Sequence, residues 1–547
     1  MTTIDTRPEA SAIPATDDAT GSAAGRSLAG AGSWITTADH KRIGRLFVGF
    51  SLLFAIAVVV VGAVFSLERV QPSGLFLEAD SVEQVYSFFR VGLSFMVVAP
   101  LLLGLSVAVV PLQVGARSLA LPRVAALGFW SWLAGSIIVV VAYLSNGGPS
   151  GGEENMVDLF LMGLALTCIG LVAAAGSVVV SALTTRAPGM TLARVPVFTW
   201  SALVGGVGLV VTLPVLVGVL ILQTVDHRYG RAAFGGNTGI LEWTGWAMTQ
   251  PTTYVLVIPM LGIAADVVVT ASRRRQPQRG TVLVGIVVFA TAMVGAVTQR
   301  AHDVPWGGAD FFDDLGDKIG DLLPYALFNL VPILGVLIVL GLITLSLKGG
   351  RPRVGAAFVF SFLGMLMLLT GVLAQVLTPL LDLQLSDTVY EEGVFLYIVY
   401  GAVLAALGAV AFWGPKLWGR RIGDKAAVPL ALLGFLATIL AALPMLVAGF
   451  QGQPAGAAGD YDYEVSPELL NGLAFAGHAL MALTVVAFVL LALRAFTKGD
   501  AAGDDPWGGQ TLEWMTTSPP PADNFTDVHT VASATPLIDL DLSRGDN

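Results

Sequence analysis

Ionisable side chains stand inside or beside several long apolar runs of this sequence, where charge is costly. Arg90 lies near the start of one run, Arg300 follows another, and Glu391 and Glu392 lie at the start of a third. Each charge in a membrane helix costs about 2.5–3.5 kcal/mol on insertion scales, so such groups are usually paired or functional. We therefore predict that Arg90 or Arg300 pairs with Glu391 or Glu392. The alternative is that all four side chains reach the outer headgroup layer and are solvated.

Imidazole and thiol groups, which could bind a metal, are few in this chain. The single cysteine, Cys168, can form neither an internal disulfide nor a CxxC site, so we expect it to be a small packing residue. His478 lies inside an apolar run and is expected to be packed or hydrogen-bonded. His302 is expected to be an ordinary interfacial residue, while His227 falls in an outer loop and His529 in the tail.

The elements that carry these residues are long apolar segments. Of the 547 residues, 55% are hydrophobic and 12% are charged, and this charged fraction is about half the globular norm of roughly 25%. About twelve runs reach the ~20 residues that cross a bilayer. We predict an all-α integral membrane protein with a bundle of about 12 transmembrane helices, near 44–67, 86–112, 124–145, 156–184, 196–223, 245–271, 280–299, 322–347, 354–379, 390–413, 427–450 and 469–495.

Charge alternates from one loop to the next. Loops such as His40–Arg42 and Arg273–Arg275 are basic, whereas the loops between them are acidic, with a run from Asp310 to Asp321. Because basic loops stay in the cytoplasm, we place the chain in the cell membrane with both termini cytoplasmic. The net charge of −10 then lies mostly on the outer face and the tails, which argues against nucleic-acid binding and leaves the lipid bilayer as the main partner.

The ends of the chain are polar. No apolar run precedes Gly44, so a cleavable signal peptide is not expected. We predict a disordered cytoplasmic leader at 1–30, a transmembrane domain at 31–496 and a cytoplasmic C-terminal tail at 497–547.

Several segments, spread from residue 34 to residue 525, form motifs. The segment LSDTVYEEGVFLYIVYG at 385–401 aligns without a gap with the sequence VSDTYFVVAHFHYVLFG. The others are WITTADHKRIG at 34–44, VPLQVG at 110–115, RAPGMTL at 186–192, PVFTW at 196–200, WGPK at 413–416 and EWMTTSPPP at 513–521. In this order they resemble the motifs of the haem-copper oxidase large subunit, cytochrome c oxidase subunit I. The resemblance implies that family's bundle of transmembrane helices, two haems and a copper ion.

The residues at the family's metal-ligand positions are not histidines. The two helix-ten haem ligands fall on Val394 and Leu396, and the helix-two haem ligand falls on Phe89. Gln250 stands at one copper-ligand position, and the simplest alignment of the seventh helix puts Gln299 and Arg300 at the other two. Haem iron and copper are bound well by the neutral nitrogen of imidazole, and aliphatic and phenyl side chains offer no lone pair. We therefore predict no haem, no copper and no catalytic residue.

Groups that would support catalysis in the family also differ. Tyr254 remains where the family has a tyrosine linked to a copper-ligand histidine, but its partner position is Gln250. Thr252 replaces the glutamate that passes protons, and Ser118 replaces the proton-entry aspartate. The arginines that hold the haem propionates correspond to the segment 453–456, which reads QPAG. A buried polar network of Arg90, Arg300, Glu391, Glu392 and Tyr254 is expected across the former haem region.

Three functions remain open from these residues. The first is a catalytically inactive relative of subunit I that acts as a structural, assembly or regulatory component of a respiratory membrane complex, with other oxidase subunits as partners. The second is a transporter or small-ligand receptor that uses the vacated haem pocket, since pockets between bundle helices are ordinary ligand sites. The third is an active terminal oxidase that reduces O2 with electrons from cytochrome c, and the missing ligands oppose it.

Overall fold

The computed structural model describes residues 32–71, 77, 79–298, 322–348, 352–456, 467–525, 527 and 530–545. The chain divides into two compact units, Met1–Ala38 and Asp39–Asn547. In the described part of the first unit, residues 32–38, Thr36 Oγ1 donates to the carbonyl of Gly32 over 3.0 Å and closes a helical turn. All elements described below belong to the second unit.

Twelve helices in the described residues are long and apolar enough to cross a membrane. Their composition, rather than any amphipathic pattern, predicts this role, because a helix that contacts lipid on one side and protein on the other is apolar all round. In chain order they are α1 (His40–Glu68), α2 (Ser81–Gln113), α3 (Pro122–Leu144), α4 (Glu154–Thr184), α5 (Val197–Tyr229), α6 (Thr252–Ser272), α7 (Arg279–Thr298), α8 (Leu322–Leu347), α9 (Ala356–Gln375), α10 (Val389–Trp418), α11 (Asp424–Phe450) and α12 (Glu468–Lys498).

A few short elements complete the described structure. A two-stranded antiparallel hairpin joins α3 to α4, with β1 (Gly147–Gly148) paired to β2 (Gly151–Gly152). A short helix, Gly236–Trp246, lies between α5 and α6, and another, Pro536–Gly545, lies near the C-terminus.

The centre of the bundle is formed by α2 and α10, whose apolar windows are entirely buried inside the protein. Helices that follow one another in the chain pack together, for example α3 with α4, α9 with α10 and α11 with α12. The last helix also packs on the first, so α12 contacts α1. Residues on α2 and α10 therefore face protein on all sides, and these two helices carry the three haem-ligand positions.

Close helix contacts depend on small residues. At Gly364 of α9, an added Cβ would lie 2.5 Å from the carbonyl oxygen of Gly401 on α10. Such backbone approach is typical of helix pairs in membranes, where packing rather than the hydrophobic effect holds helices together.

Loops alternate between the two ends of the bundle. We call the end that carries the start of α1 and residues 499–545 the tail face, and the opposite end the far face. On the tail face, the amide of Arg421 donates to the carbonyl of Asp500 over 3.0 Å, which joins the loop after α10 to the tail. On the far face, the amide of Ala455 donates to the carbonyl of Asp387 over 2.9 Å, which joins the loops before α10 and after α11.

The predicted all-α membrane bundle is confirmed, with twelve candidate spans in the described residues. One predicted run, 245–271, is divided: the short helix ends at Trp246 and α6 begins at Thr252. Pro251 lies between them, and a proline has no backbone N–H to donate to the preceding turn. The predicted domain boundaries at 30 and 496 stay predictions.

Candidate functional site

Phe89 occupies the helix-two haem-ligand position, in the interior of the bundle. Its ring is fully buried and fills the space above Gly62 of α1, where an added Cβ would lie 2.3 Å from the ring. On another side, the ring packs edge-to-face on the imidazole of His478 at a centroid distance of 5.4 Å. The phenyl group thus packs between α1 and α12 as a core side chain.

The two helix-ten positions, Val394 and Leu396, are also fully buried apolar side chains. Residues four apart share one face of a helix, so Glu392, Leu396 and Tyr400 line the same face of α10. Contacts on this face agree with that spacing, because the hydroxyl of Tyr400 lies 2.8 Å from Nδ1 of His478. His478 is therefore a packed and hydrogen-bonded residue, as the sequence predicts.

A buried ion pair closes the far-face end of this region. Nη1 of Arg69 lies 2.7 Å from Oε2 of Glu392, and both side chains are almost fully buried, at 3% and 1% exposed. Each charge also suits its own helix, since Glu392 lies in the first turn of α10 and Arg69 caps the C-terminus of α1. The Arg69 guanidinium further lies 4.3 Å from the ring centroid of Phe65.

Arg69 was missed by the sequence reasoning, which sought the partner of Glu392 at Arg90 or Arg300. A signal was present: Arg69 follows an apolar run directly, at the end of the bundle where the loops are acidic. A basic residue that departs from the charge pattern of its own face is a good candidate for a buried partner.

Arg90 contacts a backbone carbonyl, a hydroxyl and an aromatic ring rather than a carboxylate. Its Nη2 donates to the carbonyl of Met248 over 2.9 Å, and its Nη1 donates to the hydroxyl of Tyr86 over 3.3 Å. The guanidinium also lies 5.2 Å from the ring centroid of Phe395 on α10. Arg90 thus links α2 to α10 and to the segment before α6. Arg300 lies outside the described residues, and Glu391 is half-buried next to the ion pair.

A chain of amide groups supports the ion pair from the far-face loops. Nδ2 of Asn471 donates to the carbonyl of Arg69 over 3.0 Å, and Nε2 of Gln453 donates to Oδ1 of Asn471 over 3.0 Å. The carbonyl of Gln453 accepts the amide of Val389, the first residue of α10, over 2.9 Å. Gln453 lies in the segment 453–456, which the resemblance aligns with the family's propionate-binding arginines, and here it holds the ends of α1, α10 and α12 together.

The copper side of the region is described only on α6. The ring of Tyr254 is fully buried and packs on Phe289 at 5.4 Å between centroids. Within the described part of the chain, its hydroxyl, Oγ1 of Thr252 and Nε2 of Gln250 have no hydrogen-bond partner. Gln299, Arg300 and His302 lie outside that part.

The donor atoms present do not fit a haem iron. Phe89, Val394 and Leu396 have no lone pair to give to a metal, and the side chains pack against one another and against neighbouring helices. Among the described residues, no group of three or more His, Cys, Asp or Glu side chains could hold a metal ion. The amide of Gln250, which precedes α6, is a poor substitute for imidazole, which copper prefers.

Comparison with known proteins agrees with the fold and the motifs. The family model for cytochrome C and quinol oxidase polypeptide I matches residues 42–489. The chain is 30% identical to cytochrome c oxidase subunit 1 of Corynebacterium efficiens, over 99% of this chain and 94% of the relative. It is 28% identical to cytochrome c oxidase subunit 1 of Bacillus subtilis, over 92% of this chain and 82% of the relative. The chain therefore belongs to the cytochrome c and quinol oxidase polypeptide I family.

Proposed function

We propose that this chain is a catalytically inactive member of its family that binds neither haem nor copper. It serves as a structural, assembly or regulatory component of a respiratory membrane complex. The observation that carries the proposal is Phe89, whose buried ring is packed between Gly62 and His478 at a haem-ligand position. A haem there would need a donor atom that the side chain lacks, together with space that the ring fills.

The ion pair between Arg69 and Glu392 supports the same proposal. Two charges in a membrane interior persist only when they satisfy each other, and these two are joined at 2.7 Å beside the Gln453–Asn471 chain. The charged groups of this pair are thus engaged with each other.

The retained tail-face motifs support a role in a complex. Segments at 34–44, 110–115, 186–192 and 513–521 resemble family motifs although the ligand positions do not. Glu513 of the last segment is buried against Gln113 of α2, which lies within the segment 110–115. We propose that this face is cytoplasmic, following the basic loops, and that it keeps surfaces for other oxidase subunits.

Two other functions have less support. A transporter or receptor that uses the vacated haem pocket would need open space at Phe89, Val394 and Leu396, and all three side chains are fully buried. An active terminal oxidase would need metal donors at the same positions.

The first test is metal and haem content. The full-length protein is purified from its native membrane, its reduced-minus-oxidised visible spectrum is recorded, and iron and copper are quantified by mass spectrometry. Cytochrome c oxidase subunit 1 of Corynebacterium efficiens, purified in the same way, is the control. We expect less than about a tenth of the control's haem and copper per chain. Haem at one or two equivalents per chain would overturn the proposal.

The second test concerns the complex. Membranes are solubilised gently and separated by native electrophoresis, and the proteins of each band are identified by mass spectrometry. We expect the chain to co-migrate with subunits of a respiratory complex, and deletion of the chain to lower the amount of that complex. Migration as a lone protein, with no change in respiratory complexes on deletion, would contradict the assembly role.

A further inference from the structure

Two carboxyl groups meet under the C-terminal tail, at the tail face and far from the former haem region. Nε2 of Gln113 donates both to Oδ2 of Asp266 and to Oε1 of Glu513, each over 3.0 Å. Oε1 of Gln113 accepts the hydroxyl of Thr199 over 2.7 Å, which turns the amide nitrogen towards the two acids. One amide therefore bridges α2, α6 and the tail.

The two carboxyl groups differ in how well their charge is stabilised. Asp266 accepts the backbone amides of Val197 and Phe198 as well as Gln113, so both of its oxygens are hydrogen-bonded. Glu513 accepts Gln113 and Nε1 of Trp413 on Oε1 alone. Its Oε2 is buried and has no hydrogen-bond partner in the described residues. Hydrogen bonds to a carboxylate favour its charged form. A proton held between the two carboxyl groups is therefore bound by Glu513, because Asp266 accepts more hydrogen bonds.

A cavity gives this proton a route to the solvent. The cavity has a volume of about 170 Å³ and is lined by Asp266 and Glu513 together with tail residues Thr511, Ser533 and Thr535. At about 30 Å³ per water molecule, it has room for several waters. Because the tail forms part of the wall, movement of the tail would open the cavity and expose Glu513.

The tail is docked by polar contacts that follow Glu513 in the chain. Nδ2 of Asn524 donates to the carbonyl of Ala116 over 2.9 Å, and the amide of Val531 donates to the carbonyl of Pro188 over 2.9 Å. Nζ of Lys416 on α10 donates to the carbonyl of Thr516 over 2.6 Å. The tail groups in these bonds are uncharged: two are backbone groups, and the third is the side-chain amide of Asn524, which also contacts His40 and Lys41 of α1. Glu513 is a buried carboxyl group of the docked segment.

Charged groups from each packed element surround Glu513. Asp266 adds negative charge from α6, while Arg279 at the start of α7 is occupied by the carbonyl groups of Ala193 and Val195. Arg275 and Arg279 line the same cavity as Glu513, and Lys416 on α10 interacts electrostatically with Glu513 and also with Asp504 and Asp505.

We propose that Glu513 is a proton-binding site that controls docking of the C-terminal tail. In the docked tail Glu513 is protonated and neutral. Loss of the proton places a second negative charge beside Asp266, with one oxygen that accepts no hydrogen bond from the protein, and the tail then loosens from the bundle. The ligand is the proton itself, taken up from solvent through the cavity.

The direction of the pH dependence follows from the carboxyl group. Burial, together with the charge of Asp266, raises the pKa of Glu513 from its ordinary 4.5 to about 7 in the docked tail. The docked state thus binds the proton more tightly than the undocked state. Docking is strongest below pH 4.5, weakens as the pH rises towards 7, and is constant above pH 7.

The test compares hydrogen exchange of the full-length protein with that of a Glu513→Gln variant, at equal pH between 5.5 and 8.5. Intrinsic exchange rates are the same for both proteins at each pH, so the ratio of the two observed exchange rates reports docking alone. We expect wild-type tail peptides to exchange at least about tenfold faster, relative to the variant, at pH 8 than at pH 5.5. The matched control is Asp500→Asn, an exposed tail carboxylate, which should follow the wild type at every pH.

A wild-type-to-variant exchange ratio that does not change with pH would overturn the proposal. An Asp500→Asn variant that departs from the wild type as much as Glu513→Gln does would also overturn it. If the Glu513→Gln variant does not accumulate, the proposal is tested on the wild-type protein alone. Exchange of tail peptides 499–525 is then compared, in the same sample, with that of the far-face loop 145–153. A tail-to-loop ratio that rises between pH 5.5 and pH 8 supports the site, and a constant ratio rejects it.

Discussion

At the scale of single residues, the positions that the resemblance assigns to haem ligands carry an aromatic ring and two aliphatic side chains, and one ion pair lies beside them. Phe89, Val394 and Leu396 are fully buried, and the pair of Arg69 with Glu392 lies beside them. This is a consistent arrangement, because apolar groups face apolar groups and each buried charge has a partner. Individual substitutions should therefore behave as substitutions in a packed core.

Removing either member of the ion pair should be strongly destabilising. Arg69→Met leaves the buried carboxylate of Glu392 without its cation, and Glu392→Gln removes the carboxylate that Arg69 contacts at 2.7 Å. We expect each to cost about 3–5 kcal/mol of the free energy of unfolding. The double variant should lose less than the sum of the two, since no lone charge remains. Thermal unfolding of the detergent-solubilised protein measures all three.

The matched control for this prediction is the ion pair between Arg228 and Asp158, in which Arg228 is 61% exposed. Arg228→Ala should change stability by about 0–1 kcal/mol, as exposed pairs do. Equal losses for Arg69→Met and Arg228→Ala would show that the Arg69 pair is solvated and not buried.

Truncating Phe89 should leave a cavity between α1 and α12. We expect Phe89→Ala to cost about 3–5 kcal/mol, the usual range for a large buried aromatic side chain. Phe88 is the control, because it is its neighbour in sequence, is half-buried and packs on Tyr143. Phe88→Ala should cost clearly less, and a smaller loss for Phe89→Ala than for Phe88→Ala would contradict the packing described here.

At the scale of elements, α2 and α10 are the axis of the molecule, and their neighbours approach them through small residues. The backbone contact between Gly364 of α9 and Gly401 of α10 has no room for a side chain. In a bilayer such packing is a main source of helix association. The polar residues of the site are placed by these contacts, since they fix the depth and rotation of each helix.

A bulky side chain at Gly364 should force α9 away from α10. We expect Gly364→Val to lower the yield of folded, monodisperse protein several-fold, as judged by size-exclusion chromatography. Gly341 on α8 has open space around it, so Gly341→Val should leave the yield unchanged. Similar behaviour of the two variants would mean that the α9–α10 contact is looser than the structure indicates.

At the scale of the whole molecule, the tail ties the loops of one end together. It contacts the loop after α2 through Asn524, the loop after α4 through Val531 and the end of α10 through Thr516. These three contacts attach the tail at separate points, although the tail has little regular secondary structure. The tail thus stabilises the relative positions of the helices that it bridges.

Deleting the tail should weaken the bundle without unfolding it. We expect a chain ending at residue 498 to insert in the membrane but to unfold several degrees lower than the full chain. A chain ending at residue 535, which keeps Glu513, Asn524 and Val531, should unfold close to the full chain. If both truncations lower the unfolding temperature equally, the stabilising contacts lie in the last short helix instead.

The sequence by itself determined the twelve helices, the family and the absence of histidine at positions 89, 394 and 396. These properties are local: a run of apolar residues crosses a bilayer whatever follows it, and a phenyl ring has no metal donor in any fold. Only the tertiary structure decided which groups meet. Arg69 and Glu392 lie 323 residues apart, Gln113 and Glu513 lie 400 apart, and no periodicity relates them. Their contacts depend on the order in which helices pack and on the depth at which each ends, which are properties of the assembled bundle.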